Sequence, residues 1–120
     1  MFVYENGTYI RDYIFITDVI TAFLYAGSGI TDLNGGYYII SGGKGITIRE
    51  AFQMAIDQTA QYSKEKLELK SKSQPEGFSE IETRNFVGDS TAFNKITNWS
   101  PQFSLKKGIS QTVNSFLSKK

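Results

Sequence analysis

Cysteine and histidine are both missing from this 120-residue sequence, and proline occurs only twice. Without cysteine there is no disulfide and no thiolate nucleophile; without histidine the commonest general base and metal ligand is gone. Ser-His and Cys-His nucleophilic machinery is therefore excluded by composition. Acid/base work would fall to carboxylates, tyrosines or lysines. The 12 carboxylates are scattered without a ligand-like cluster, so no metal site is expected. Charge of neither sign dominates, with 13 basic residues against those 12 acidic ones, which removes the broad positive footprint of a duplex nucleic-acid binder. No apolar run approaches the roughly 18 to 20 residues of a membrane span, and no basic segment followed by an apolar run opens the chain. We expect a cytoplasmic protein with neither a nucleic-acid nor a membrane partner.

Aromatic residues, by contrast, are plentiful, with nine phenylalanines and seven tyrosines. A chain of this length forms one domain or part of one, with a modest core and more sticky surface than a small domain readily hides. The stretch Gly7–Val19 stands out. Strand formers dominate Tyr9 to Ile16, yet Arg11 and Asp12 interrupt them side by side and a Thr-Asp helix start follows. Two readings stay open: the pair solvates the end of a half-buried strand, or it holds an anionic ligand or a neighbouring loop.

In chain order, Phe2–Ile10 predicts a hairpin around Asn6-Gly7, whose second arm runs on through Ile16. Thr17 or Asp18 then caps a helix with Val19, Ala22, Phe23 and Ala26 inward, ended by Gly27-Ser28-Gly29. Tyr37–Ile40 reads as a strand buried on both faces, and Ser41–Gly45 breaks it. Thr47-Ile48-Arg49-Glu50 fits a capping box, opening a helix to about Gln61 with Ile48, Ala51, Phe52, Ala55 and Ile56 on its buried face. Lys66–Lys70 alternates like a short strand, residues 71–80 read as an exposed, mobile loop, and Thr83–Val87 suggests another brief strand. Asp89 or Ser90 caps a helix with Phe93 and Ile96 inward, stopped at Asn98–Pro101. Ser104 caps the last helix, which has Leu105, Ile109, Val113, Phe116 and Leu117 on one face and Lys119-Lys120 at its favourable C-terminal end.

Ser41-Gly42-Gly43-Lys44-Gly45 invites a phosphate-loop reading, since it links a strand to a helix. It lacks both the Walker spacing and the dinucleotide fingerprint; a glycine-rich connection that lets backbone pass close to backbone is the plainer account. Arg84 is either a solvated strand-edge arginine or, if brought beside Arg11, half of a diphosphate clamp.

Three segments taken together resemble one family. Tyr4–Val19 is similar to the "Y-G-D-G-S-Q-x-R-D-Y-I-Y-V-D-D-V" segment of NAD-dependent sugar-nucleotide epimerases and dehydratases, the extended short-chain dehydrogenase/reductases typified by UDP-glucose 4-epimerase. Tyr38–Gly43 followed by Gly45–Glu50 resembles that family's "Y-N-I-G-x-G-x-x-x-S-I-x-E". Gly88–Thr91 through Trp99-Ser100-Pro101 and Ser104–Ile109 resembles its closing "D-x-S-K-A-x-x-x-L-G-W-x-P-x-x-S-L-E-E-G-I". The motifs occur in order and cover nearly the whole chain.

The resemblance implies an α/β fold, α+β when isolated, of short strands and about four helices: residues 1–120 as a single partial domain, the C-terminal, substrate-binding portion without the main Rossmann sheet. In that family the N-terminal Rossmann portion carries the NAD(P) loop and the Tyr-x-x-x-Lys pair. The chain, expected to contain neither that loop nor any Tyr-x-x-x-Lys pair, would then bind no cofactor and hold no catalytic residue. Its partners would be a nucleotide-diphosphate sugar and the missing Rossmann portion. Arg11 would contact the diphosphate, Tyr13 would support it, and Ile48 would wall the nucleotide base. The family's second diphosphate-gripping arginine is replaced by Ser79, with Glu82 in the acidic position and Arg84 as the residue that compensates. Lys106-Lys107 replaces an acidic pair and forgoes a dipole benefit of roughly 0.3 to 1 kcal/mol per charge. The alternative is a free-standing, non-catalytic binding or interaction module on the same fold. Either way, apolar edges left without the Rossmann sheet predict self-association.

Overall fold

The structure, a computed structural model, describes residues 1–28, 30–62 and 66–118. In chain order it contains β1 (Phe2–Tyr4), β2 (Ile10–Asp12), α1 (Ile16–Ser28), α2 (Ile30–Leu33), β3 (Gly45–Thr47), α3 (Ile48–Ala60), β4 (Lys70–Lys72), a 3-10 turn at Glu80–Thr83, α4 (Thr91–Thr97) and α5 (Leu105–Leu117). The α/β character and the short strands match expectation, with the single-turn α2 as an additional helix. Gly29, part of the anticipated stop of α1, and Lys119-Lys120 lie outside the described residues.

The strands pair differently from the expectation. β1 runs parallel to β4, with Val3 opposite Ser71, and β2 runs antiparallel to β3, with Arg11 opposite Ile46. No hairpin forms at Asn6-Gly7, although Glu5 (φ 49) and Gly7 (φ 62) do adopt left-handed conformations. The reason lies at the start of α3. The first N–H groups of a helix lack intrahelical partners, and here the Ile48 and Arg49 N–H groups donate to the carbonyls of Tyr9 (3.1 Å) and Gly7 (2.9 Å). The Arg49 Nε donates to the Asn6 carbonyl at 2.6 Å. The segment that would form the second arm is thus committed to a helix terminus.

Three other strand expectations are corrected on the same physical ground: a strand exists only where another chain segment completes its hydrogen bonds. Tyr37–Ile40 is extended but unpaired, with Tyr38 and Ile40 packed against the core while Tyr37 and Ile39 face outward. Of Lys66–Lys70 only Lys70 belongs to a strand, as the first residue of β4, while the Glu68 carbonyl accepts from the Met1 amino group at 3.0 Å. Thr83 closes the 3-10 turn, and beyond it Phe86 N–H donates to the Ile10 carbonyl at 3.1 Å without building a ladder.

The second arm ends at Asp12 rather than Ile16, and neither Thr17 nor Asp18 caps α1, because both lie inside it. Asp18 is instead buried at 1% exposure and accepts the Gln102 and Phe103 N–H groups at 2.9 and 3.0 Å. Ala22 packs inward as expected, but Phe23 is 73% exposed. The capping box of α3 forms as read, with the Thr47 hydroxyl accepting from Glu50 N–H and the Glu50 carboxylate accepting from Thr47 N–H at 2.9 Å. Ser104 caps α5 through Lys107 N–H. At α4 the Asp89 carboxylate accepts Thr91 N–H, while the Ser90 hydroxyl is bonded to Ser41. Asn98 (φ 56) ends that helix in a left-handed C-cap. Ile96, Phe116 and Leu117, expected inward, are exposed.

The core is a cluster of Ala22, Leu33, Phe93 and Trp99, flanked by Ile14, Ala26, Tyr38 and Ile40. Trp99 stacks edge-on against Phe93 with centroids 5.7 Å apart and donates its indole N–H to the Thr21 hydroxyl at 3.0 Å. A second contact, α3 against α5, supports the other end. Gly108 of α5 faces Phe15, just ahead of α1, where a Cβ would lie 2.9 Å from the ring. No described helix is long and apolar enough to cross a membrane.

Candidate functional site

Arg11 lies in the β2–β3 ladder opposite Ile46, its side chain one quarter exposed. Its Nη1 donates to the Ile10 carbonyl at 3.0 Å and to the Arg84 carbonyl at 2.5 Å, and its Nη2 donates to the Glu82 carbonyl at 2.6 Å. The Glu82 carboxylate completes an ion pair at 3.6 Å from Nη2. A guanidinium has five N–H donors; this leaves Nε–H and the Nη2–H that faces only the carboxylate.

Asp12 answers the question the sequence left open for its own half of the pair. Its carboxylate accepts backbone N–H groups from Gly42 (2.9 Å), Gly43 (3.0 Å) and Gly88 (3.0 Å), so it holds two loops to the end of β2. The Ser41–Gly45 loop is thereby explained as close backbone approach: a Cβ on Gly42 would lie 2.5 Å from the Tyr13 carbonyl oxygen. The Gly42 and Gly43 N–H groups, both committed to Asp12, are not free to receive a phosphate.

Ile48 and Glu82 line one cleft of about 430 Å³ with Phe2, Tyr4, Tyr9, Phe52 and Phe78. Phe78 meets Tyr4 edge-on with centroids 5.6 Å apart. Arg11 reaches this cleft through Glu82. Tyr13 lines another cavity, of about 440 Å³, with Lys44, Phe103 and the start of α5. Burial pushes the Tyr13 phenol above its ordinary value, and the nearby Arg11 charge pulls part of the way back. Arg84 contributes its carbonyl to Arg11, while its exposed side chain makes no ion pair among the described residues. Two of the five anticipated site residues therefore share a cleft, Arg11 stands at its edge, Arg84 meets Arg11 through its carbonyl, and Tyr13 lines a separate cavity.

Sequence reasoning did not anticipate the aromatic wall. Phe78 carried the available signal, a lone aromatic in a polar, exposed stretch. One spacing was also misjudged: the expectation of a chain without any Tyr-x-x-x-Lys overlooks Tyr62 and Lys66. Helix α3 ends at Ala60, before either residue. No group of acidic side chains suited to a metal ion occurs among the described residues.

A family model described as GDP-mannose 4,6 dehydratase matches residues 1–112. Among solved structures, the chain is similar to UDP-glucose 4-epimerase of the hyperthermophile Thermotoga maritima, solved with UDP-glucose, at 24% identity and TM-score 0.76, over 99% of this chain and 35% of that one. It is similar to Pal from Bacillus thuringiensis at 22% identity and TM-score 0.80, over 100% and 35%. It is similar as well to dTDP-glucose 4,6-dehydratase from Bacillus anthracis, solved in complex with NAD, at 19% identity and TM-score 0.68, over 98% and 34%. The chain spans about a third of the length of these proteins, and the likeness establishes the fold. No curated protein matches by sequence.

Proposed function

The chain belongs to the GDP-mannose 4,6-dehydratase family, within the NAD-dependent epimerases and dehydratases of the extended short-chain dehydrogenase/reductase class, and on that premise we propose that it is the nucleotide-sugar-binding portion of such an enzyme. The observation that carries the reading is the juxtaposition of an aromatic cleft with a guanidinium at its edge. Flat apolar walls suit a nucleobase, and Arg11 at the rim suits the diphosphate that follows it. In this reading Ile48 and the aromatic side chains contact the base, Glu82 accepts hydrogen bonds at the rim, Arg84 adds a second cation and Tyr13 packs beside Arg11.

None of these residues performs chemistry. NAD(P), held by a Rossmann portion, supplies the hydride transfer, and this chain's contribution is to orient the substrate. We read the location as cytoplasmic. The exposed apolar face of α1, built from Ile16, Ile20, Phe23 and Leu24, favours this reading over a free-standing binding module, which would have little reason to keep such a face uncovered.

Titration calorimetry of the chain with UDP-, CDP-, GDP- and TDP-sugars tests the proposal. Binding of at least one nucleotide sugar, with no turnover and no NAD affinity, is the expected result. A micromolar affinity for NAD alone would overturn it.

A further inference from the structure

The segment from Ser79 to Arg84 is held to the rest of the protein in an unusual way. Its internal bonds run from Ile81 N–H to the Ser79 hydroxyl, from Glu82 N–H to the Ser79 carbonyl, from Thr83 hydroxyl to the Glu80 carbonyl and from Arg84 N–H to the Ile81 carbonyl. Ile81 is 61% exposed and supplies no buried anchor. Among the described residues, every hydrogen bond or ion pair that ties this segment to another part of the chain comes from one side chain, Arg11. On either side the chain is fixed independently, by Phe78 against Tyr4 and by Asn85 and Phe86 on Ile10. The segment thus spans two anchors like a strap, and its Glu82 lines the aromatic cleft.

Arg11 is also the residue the functional reading assigns to the ligand's diphosphate. Its uncommitted donors are Nε–H and one Nη2–H, and the strap's own Glu82 carboxylate stands 3.6 Å from that Nη2, so an anionic diphosphate takes them only by displacing this like charge, and takes both Nη groups only if the carbonyls let go. We propose that Ser79–Arg84 is a strap latched by Arg11, and that a diphosphate-bearing ligand competes for that guanidinium, so that ligand entry releases the strap. The proposal rests on the reading of Arg11 as a diphosphate contact. It makes Arg11 the switch between a closed cleft wall and an occupied one.

Hydrogen-exchange mass spectrometry of the full chain, read on the peptide covering residues 79–86, tests it with inorganic pyrophosphate as the probe. Arg11→Gln is expected to speed exchange in this peptide about ten-fold, as loss of charge-assisted bonds implies, with α3 protection unchanged as the check on folding. Pyrophosphate is expected to bring the wild type toward the same rate and to leave R11Q unchanged. Should R11Q not fold, Arg11→Lys, which keeps the charge but loses the fork, takes its place with the same expectation. Calorimetry on the same samples separates the two ways of failing. Arg11-dependent pyrophosphate binding that leaves strap exchange unchanged or slower overturns the latch and preserves the diphosphate reading. Absence of binding, or binding equal in wild type and variant, overturns both.

Discussion

Asp12 accepts three backbone N–H groups and Asp18 accepts two, and each draws together segments far apart in sequence. A charged acceptor surrounded by backbone donors is worth more than its neutral equivalents, and its removal strands every donor it served. Asp18→Ala, at a position 1% exposed, is expected to cost about 2 to 4 kcal/mol by urea titration, because the Gln102 and Phe103 N–H groups lose their acceptor. Asp32→Ala on the exposed α2 should change stability by about 0.5 kcal/mol or less. An equal response from the two variants would deny Asp18 its role. The oddity of Arg11-Asp12 was visible in the sequence, yet its meaning was not. Asp12's partners lie 30 and 76 residues away, at Gly42 and Gly88, and no local pattern announces a contact of that range.

The starts of α3 and α5 were legible for the same physical reason in reverse, whereas that of α1 was misplaced to Thr17 or Asp18. A capping box is closed within four residues, so Thr47 and Glu50 declare it whatever the rest of the chain does. Strands at Tyr37–Ile40 and Thr83–Val87 could not be settled in that way, since their existence depends on a remote partner. Thr47→Ala is expected to cost about 1 kcal/mol, measured by chemical denaturation. The box also carries a pH signature. Bonds from the Thr47 hydroxyl and N–H hold the Glu50 carboxyl below its ordinary 4.5. A lowered folded-state value means that the stabilisation is complete above the unfolded value and fades as pH falls through the folded one. Comparing wild type with Glu50→Gln, the difference in stability should be constant from pH 7 to about 5.5 and shrink on acidification below about pH 4.5. A difference that grows with acid would reject this assignment.

At the scale of the whole molecule, the chain is a slab with principal extents of 51 × 39 × 19 Å and a radius of gyration of 17.3 Å. A closed domain of this length would have a radius of gyration of about 14 Å. Helix α1 shows what the difference means. Asp18, Ala22 and Ala26 turn one side toward the core, while Ile16, Ile20, Phe23 and Leu24, at helical spacing, expose a second apolar stripe. A helix apolar on both sides is built to be covered on both. Beside it lies an apolar depression of about 490 Å³ between Phe23, Leu33, Tyr38 and Phe93. The extended, unpaired Tyr37–Ile40 segment borders the same region, with Tyr37 fully exposed. Two unsatisfied features therefore coincide, apolar area and backbone without strand pairing, and we expect either to favour association of the chain. Sedimentation velocity is expected to show concentration-dependent self-association. Phe23→Glu combined with Leu24→Glu should shift the population toward monomer without loss of helical circular dichroism, because both side chains stand clear of the core. A wild-type chain that sediments as a clean monomer at high concentration, while the amides of residues 37–40 exchange freely, would show that this face needs no cover.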